Sequence, residues 1–511
     1  MGLPILLLGL AGLWSIWCIL CALWSPLRSI PGPFVSRFTD GWYLKRVVHG
    51  QFQLDQAELH RKYGPIVRLG PNRFSFAEPT ALKTIYGYGI EFRKSEWYSA
   101  FNVPHPLSIE RWNIFTTSDV KLHAQQRRHY TSMYSMSSLI SYEPYVDECA
   151  DLLTQRLSEF AQSGMTIDMG HWLQCFAFDV IALMTSGERY GFLDRGDDVR
   201  GLMGMIEQAT KYGVAVGIFP RLHPYFFKLQ GLLPGARSSG FENLRSFIEA
   251  KMDEFRHGGN TPATQKEGGR QTFLAKLFDK HLGNPKEFTL YHIFTAAGAN
   301  IGAGSDTSGI ALSSILYHLV KYPRYMTALR EEIDEAQRLG LLSARPTFKE
   351  SQDMPYFQAV IKEAMRLHPS ICLPYERVVP DGGAMISGRF FPAGTIVGVN
   401  CYIEHRIKSI WGEDADDFRP ERWLTSDKDK LSLMNRHWIP FGSGSRTCIG
   451  KNVSLLEIQK LMLRIIRDFN FEPKGAPSEN WKLDNFWFTK PRDWQVRVSI
   501  RGKGMLDGPV V

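Results

Sequence analysis

The feature of this sequence that most constrains its fold is a glycine-punctuated loop around one cysteine, residues 441–450, which reads Phe-Gly-Ser-Gly-Ser-Arg-Thr-Cys-Ile-Gly. The segment that follows carries apolar residues at intervals of three and four, which predicts one buried face of a helix. These residues are Leu455, Ile458, Met462, Ile465 and Phe469. Cys448 is therefore predicted to lie at a helix N-terminus, where free N–H groups and the positive end of the helix dipole favour a thiolate.

The residues around Cys448 suit a flat, acidic partner. Gly442, Gly444 and Gly450 allow a sharp turn and a close approach of the backbone. Arg446 supplies a planar guanidinium group, which matches the geometry of a carboxylate. The alternative is that Cys448 is a small buried hydrophobic residue, as a lone cysteine before a helix often is.

The complete spacing, Phe-x-x-Gly-x-Arg-x-Cys-x-Gly, favours the first interpretation because it resembles the haem-binding loop of the cytochrome P450 family. The resemblance, with the motifs below, extends over nearly the whole chain. It implies a mainly α fold with a small β-rich lobe, in one large haem-binding domain over residues 41–505. It also implies that Cys448 is the axial ligand of the haem iron. Phe441, Arg446 and Gly450 are then expected beside the haem.

The composition is that of a large globular protein with a basic net charge. The chain has 511 residues, is 44% hydrophobic and carries a formal net charge of +8, so it can form a large core and has an affinity for acidic partners. It has no basic run interleaved with aromatic residues, which argues against nucleic acid. Its seven cysteines are odd in number and irregularly spaced, which favours a reducing compartment.

The N-terminus predicts a membrane anchor. Residues 4–24 are uncharged and strongly apolar, long enough to span a bilayer, and the first charge is Arg28. Positive residues after the apolar run place the rest of the protein in the cytoplasm. A cleaved signal peptide is the alternative, but the positive charge it needs before the apolar run is missing. We predict an anchor at residues 1–27 and a proline-rich hinge at 28–40, which in the resembled family implies the endoplasmic reticulum.

A second long apolar helix is predicted over residues 296–322. Asp306 and Thr307 lie at its centre, where a buried acid and a hydroxyl are costly unless they are used or satisfied. One interpretation is a helix bend, with the threonine bonded to a carbonyl of the previous turn. In the resembled family this position is the oxygen-binding segment, and both residues are then catalytic proton relays.

Three further basic or neutral side chains are candidates for the haem propionates. His123 and Arg127 are four residues apart, so they share one face of a predicted helix. The family has Trp and Arg at this spacing, and here His replaces Trp. Arg377 follows a Pro-containing turn at a point where the family places another propionate-binding arginine. An exposed surface helix is the alternative for the first pair.

A structural network is expected around Glu363 and Arg366, which are three apart on a helix that begins at Pro355. Such pairs are usually solvated surface salt bridges of little energetic value. The family's Glu-x-x-Arg motif instead forms a buried network with a later arginine, which corresponds to Arg422 here.

Several predictions concern the rest of the surface. Residues 66–76 predict a β-hairpin, 98–119 and 257–269 predict loops, and 485–491 resemble the turn that lines the substrate cavity. Five basic residues are expected to form either a docking face for an acidic reductase or an ordinary solvated surface. They are Arg128, Lys451, Lys460, Arg464 and Arg467.

The resemblance implies a haem monooxygenase that inserts one atom of O2 into a small apolar organic substrate. The region from the Glu-x-x-Arg helix to the Cys448 loop is most similar to filamentous-fungal pisatin demethylase-like members, which implies secondary metabolism. The expected electron donor is a separate NADPH-cytochrome P450 reductase, with cytochrome b5 as a second donor. The alternatives are a fatty-acid or xenobiotic hydroxylase, a rearrangement enzyme that uses no reductase, and a non-catalytic haem sensor.

Overall fold

A computed structural model describes residues 2–89, 91–102, 113–232, 240–257, 271–475 and 481–502. The predicted loop at 257–269 lies outside this part of the chain except for its first residue. Residues 103–112 of the loop predicted at 98–119 also lie outside it, and the part before them forms a 3₁₀-helix, Glu96–Phe101.

Helices dominate the structure, as predicted. In chain order they are α1 (Gly2–Trp24), α2 (Gly41–Val47), α3 (Phe52–Tyr63), α4 (Pro79–Tyr86), α5 (Val120–Tyr130), α6 (Met136–Leu139), α7 (Glu143–Ser163), α8 (Met169–Ser186), α9 (Phe192–Arg195), α10 (Leu202–Val216), α11 (His223–Leu232), α12 (Gly240–His257), α13 (Phe273–Gly283), α14 (Leu290–Ala299), α15 (Ser305–Lys321), α16 (Pro323–Arg338), α17 (Phe348–Gln352), α18 (Pro355–Leu367), α19 (Cys401–Glu404), α20 (Lys408–Trp411), α21 (Lys428–His437) and α22 (Lys451–Asp468).

The strands form small sheets. They are β1 (Ile66–Gly70), β2 (Arg73–Phe76), β3 (Arg93–Lys94), β4 (Thr166–Asp168), β5 (Arg377–Val378), β6 (Ala384–Ile386), β7 (Arg389–Phe391), β8 (Ile396–Val399), β9 (Phe469–Pro473), β10 (Lys482–Phe486), β11 (Phe488–Arg492) and β12 (Gln495–Ile500). The largest sheet has the order β1-β2-β8-β5-β3, with β2 and β8 parallel. The predicted hairpin is its β1–β2 pair, in which Ile66 faces Phe76.

The centre of the molecule is a group of packed helices. α8 is buried on nearly every side and packs along α15, while α22 packs against α7 and α15. A helix buried all round is expected to be apolar all round, and residues 175–184 of α8 are apolar except for Asp179. The buried carboxylate of Asp179 accepts hydrogen bonds from backbone amides of residues 190–193. The Cys448 loop leads directly into α22, so the central helices fix its position.

The predicted helix over 296–322 is present but interrupted. A π-helical turn, Asn300–Gly304, separates α14 from α15, and such turns are frequent at functional sites. The side chain of Thr307 donates to the carbonyl of Ala303 at 2.7 Å, which is the bond predicted for a bent helix.

Within the described residues, no helix combines the length and the apolar character that crossing a membrane requires. The side chains of α1 that the structure describes are mostly exposed, including Leu13, Trp17 and Trp24. The anchor at residues 1–27, the hinge at 28–40 and the catalytic domain at 41–505 stay predictions.

Candidate active site

The Cys448 loop is closed by its own backbone. The amide of Cys448 donates to the carbonyl of Phe441 at 2.8 Å. Gly442 and Gly444 have φ values of +75° and +63°, a conformation that glycine adopts without strain. A Cβ atom on Gly444 would lie 1.8 Å from the carbonyl oxygen of Tyr86, so no other residue fits there. The loop geometry therefore requires the glycines that the sequence places in it.

Cys448 differs from the other cysteines of the globular part of the chain. Its side chain is exposed, whereas Cys149, Cys175, Cys372 and Cys401 are buried. Surrounding protein raises the pKa of the Cys448 thiol, while the backbone amide of Gly450 and the charge of Arg127 lower it. The prediction of a thiolate rested on the amides and the helix dipole alone. Desolvation by the protein atoms packed around this exposed side chain outweighs both effects. An additional positive charge at the sulfur, such as a metal ion, would be needed to hold the thiolate.

The predicted propionate-binding residues come together beside this loop. Their charges act on one another closely enough to shift their pKa values. The group, called the cationic cluster below, consists of Lys94, His123, Arg127, Arg377 and Arg446. Burial and then the charges of its neighbours lower the pKa of His123 to about 3 and that of Arg446 to about 10. The prediction of a shared site for His123, Arg127, Arg377 and Arg446 is consistent with this placement.

The cationic cluster has little negative charge to balance it. Arg446 donates to the backbone carbonyls of Thr117, at 2.7 Å, and Ser118, at 3.3 Å. Arg377 donates to the carbonyl of Glu376 at 2.8 Å. Among the residues that the structure describes, no carboxylate forms an ion pair with any member of the cluster. Buried charges without counterions are costly, so the cluster fits a ligand that carries carboxylates, as haem does.

Lys94 was missed by the sequence analysis. It lies in β3, is buried, and donates to the carbonyl of Phe115. Burial, followed by the charges of Arg377 and Arg446, holds the pKa of its ammonium well below its usual value. A basic dipeptide in a two-residue strand carries no local signal of a site, and only the pairing of β3 with β5 brings Lys94 next to Arg377.

Asp306 is buried and fixed from two directions. Its carboxylate forms an ion pair with Lys490, Nζ to Oδ2 2.8 Å, and accepts a hydrogen bond from Gln174. The side chain of Asp306 is fully buried and that of Lys490 is 12% exposed, so the predicted proton relay through Asp306 would reach solvent by way of Lys490. Lys490 and Gln174 were both missed, although Lys490 lies in the segment predicted to line the cavity.

That segment, residues 485–491, forms the β10–β11 hairpin, and Trp487 is its turn residue. Trp487 has a φ of +78°, which is rare for a bulky side chain and is found where function imposes strain. Its indole packs against several aromatic rings with centroids 5.0 to 6.2 Å away. They are Trp97, Tyr98, Phe101, Phe115 and Tyr375. These rings form one apolar cluster, and two of them, Tyr98 and Phe115, also contact Lys94 of the cationic cluster.

The Glu363 network is buried, so the surface-salt-bridge alternative is wrong. Arg366 donates two hydrogen bonds to Glu363, at 2.8 and 2.9 Å, and Arg422 donates one at 2.8 Å. The indole of Trp423 donates to the same carboxylate at 2.9 Å. The side chains of Glu363, Arg366 and Arg422 are fully buried. The remaining guanidinium N–H groups bind backbone carbonyls such as that of Ala415.

The prediction that five basic residues lie on one exposed surface is wrong for two of them. Lys460 is buried in ion pairs with Glu143 and Asp147, at 2.8 and 3.1 Å. Arg464 is also buried and pairs with Asp151 at 2.6 Å. The helical period places both residues on the side of α22 that packs against α7.

Comparison with known proteins agrees with this site. The cytochrome P450 family model matches residues 31–493, and the chain belongs to the cytochrome P450 family. It is 38% identical over 474 residues to pisatin demethylase of Fusarium vanettenii, covering 92% of this chain and 90% of that protein. It is 37% identical to the cytochrome P450 monooxygenase cicH of Emericella nidulans, covering 93% and 94%. It is 33% identical to the cytochrome P450 monooxygenase gsfF of Penicillium aethiopicum, covering the same shares.

Membership of this family defines the class of the protein. It is an oxygen-incorporating oxidoreductase, a monooxygenase that carries haem on a cysteine thiolate. The predicted mainly α fold with a small β-rich lobe is confirmed.

Proposed function

We propose that Cys448 is the axial thiolate and that the protein oxidises a small apolar organic substrate in fungal secondary metabolism. Hydroxylation, epoxidation and oxidative dealkylation all belong to this chemistry. The observation that carries the proposal is the exposed sulfur of Cys448 beside the uncompensated cationic cluster. A haem needs one soft ligand for its iron and cationic partners for its two propionates, and this arrangement supplies both.

Different residues of the chain would bind different parts of the haem. Arg127, Arg377 and Arg446 would hold the propionates, with Phe441 and Gly450 in the loop that carries the ligand. When bound, the haem supplies the redox iron at which O2 is activated. α15 contacts α22 through Ser308 and Ser454, whose hydroxyl oxygens are 3.2 Å apart, so the Thr307 segment lies close to the haem-binding helix.

Thr307 and Asp306 are proposed to transfer protons to the active site. The hydroxyl of Thr307 donates to Ala303, so its oxygen is free to accept a hydrogen bond and hold a water molecule. Asp306 lies one residue earlier, and its ion pair with Lys490 links it to a side chain at the protein surface. These groups would pass protons from Lys490 through Asp306 to a water molecule held by Thr307.

The test is turnover with NADPH and a separate cytochrome P450 reductase. Because one relative is named a demethylase, the probe substrates are small apolar molecules with a methyl group on a heteroatom, selected by the shift that they cause in the Soret band. We expect product only when both NADPH and reductase are present. A rearrangement enzyme would turn over without them, and a haem sensor would form no product, so either result would contradict the proposal.

Thr307→Val gives the mutational arm of the same test. NADPH consumption should persist, but the product formed per NADPH should fall roughly tenfold, with hydrogen peroxide formed instead, because the hydroxyl that positions the proton-delivering water is lost. Asp306→Asn should slow both product and NADPH consumption by about 10- to 100-fold. Ser313→Ala removes another hydroxyl of α15 that bonds to the previous turn and should leave coupling unchanged. If Thr307→Val formed as much product per NADPH as the wild type, the proton-relay assignment would be wrong. The hydroxyl of Thr307 would then serve only to bend the helix.

We further propose that residues 1–27 anchor the protein in the endoplasmic reticulum membrane, with the catalytic domain in the cytoplasm. The uncharged run at 4–24 and the exposed apolar side chains of α1 support this. Full-length protein should float with phosphatidylcholine vesicles, and a variant that begins at residue 28 should stay mostly in the soluble fraction while keeping its haem spectrum. Equal flotation of the two proteins would contradict the anchor.

A further inference from the structure

A polar cleft, called the basic cleft below, lies between the C-terminal end of α5 and the helix α13. Its residues are not among those assigned to the active site. Its volume is about 270 Å³. It is lined by His129, Ser132, Met133, Ser138, Lys276 and Lys280. This basic cleft has no role in the proposed oxidation chemistry.

The two lysines face the cleft together because they are four residues apart on α13. The ammonium group of Lys276 donates to the hydroxyl of Ser138 at 3.1 Å, and that of Lys280 donates to the carbonyl of His129 at 2.6 Å. Each ammonium has three N–H donors, so two on each lysine are not used by these bonds. Ser132 and Ser138 add hydroxyl groups at the rim.

Positive charge dominates the basic cleft. Among the described residues, no carboxylate lies within ion-pair distance of Lys276 or Lys280. Glu287 is the acidic residue whose charge acts on both Lys280 and His129, without an ion pair. Burial lowers the pKa of Lys276, Lys280 and His129. The lysines are held in place by the rings of Tyr142 and Phe288, 4.6 and 5.1 Å from their ammonium groups.

We propose that the basic cleft is a binding site for a phosphate group. Two partly buried ammonium groups without a counterion favour a dianion, and their free donors together with the serine hydroxyls suit the several acceptor oxygens of phosphate. The cleft is larger than a phosphate ion, so the phosphate can be free or part of a small phosphate ester. The residues that line the basic cleft are mostly polar or charged, unlike the aromatic cluster around Trp487. The cleft is therefore a poor binding site for an apolar substrate.

The proposal is tested by titrating the full-length haem-loaded protein with inorganic phosphate and with glycerol 3-phosphate, at constant ionic strength, against chloride. Binding is measured by calorimetry and by the rise in the unfolding temperature. We expect saturable binding of one equivalent of phosphate to the wild type. The dissociation constant should be at least tenfold larger in the double variant Lys276→Met/Lys280→Met. The matched control is Lys428→Met/Lys430→Met, which removes two exposed lysines of α21 and should bind phosphate as the wild type does.

The two ligands distinguish the source of the phosphate group. Binding of inorganic phosphate indicates a free-ion site, and binding of glycerol 3-phosphate alone indicates an ester site. Absence of saturable binding by either ligand would overturn the proposal, as would unchanged affinity in the double variant. Because Lys280 also tethers the end of α5, the single variant Lys276→Met is a second test and should weaken binding at least threefold. The haem spectrum of each variant reports whether it is folded.

Discussion

Replacing Cys448 with alanine should abolish the red-shifted Soret band that thiolate ligation gives to the reduced carbon monoxide adduct. Cys448 is exposed and its charge acts on Arg127 of the cationic cluster, whereas the other cysteines of the globular part are buried. Most of the bound haem should be lost as well, because the propionate contacts remain but the axial bond does not. The difference spectrum and the haem content per protein chain measure the two effects.

Cys175→Ala is the matched control for this experiment. Cys175 is buried in α8, where burial raises the pKa of its thiol, so it cannot readily supply a thiolate. Its removal should leave the Soret band intact. If Cys448→Ala kept the red-shifted band, another residue would have to be the axial ligand.

Glu363→Gln should destabilise the protein by about 3–5 kcal/mol, because it leaves the buried guanidinium of Arg366 without a counterion. Arg422 keeps only the longer ion pair with Asp414, at 3.4 Å. Arg366 and Arg422 each lose a charge-assisted hydrogen bond to the carboxylate. The free energy of unfolding in urea, followed by the haem band and by circular dichroism, measures the loss. Glu335→Gln is the control: Glu335 has the same i,i+3 pairing with Arg338 but on the surface, and the variant should unfold at the same urea concentration as the wild type.

The pH dependence of this network has a defined sign. Burial raises the pKa of Glu363, but the hydrogen bonds and charges of Arg366 and Arg422 outweigh it and leave the pKa below its ordinary value of 4.5. The stabilisation is therefore complete above the ordinary pKa and is lost as the pH falls through the lowered one. A Glu363→Gln variant that unfolded like the wild type at neutral pH would show that the network contributes no stability.

Local sequence was sufficient where the structure depends on residues close together in the chain. The Cys448 loop requires glycine at fixed positions for its backbone conformation, and the start of α18 at Pro355 follows from the fixed φ of proline. The hydrogen bond from the hydroxyl of Thr307 to the carbonyl four residues back was predictable for the same reason. Each of these features needs only one short segment, so the sequence pattern carries the information.

Burial of charge could not be predicted in the same way. Lys460 and Arg464 have the spacing of an exposed helix face, yet acidic residues of α7 neutralise them in the interior. A charged side chain is buried only when a counterion meets it, and α7 lies more than three hundred residues earlier in the chain. The sequence pattern of α22 alone therefore favoured the wrong side of the helix for these two residues.

By itself, the sequence determined the family, the helical fold and the identity of Cys448, Asp306, Thr307 and the Glu363 network as candidates, because motif spacing fixes the order in which functional groups occur. Only the tertiary structure decided the partners of these groups. Lys490 reaches Asp306 through the β10–β11 hairpin, and Lys94 reaches Arg377 through the β3–β5 pairing. The physical reason is that electrostatic interactions depend on distance in space and on burial, and neither is a property of a residue's neighbours along the chain.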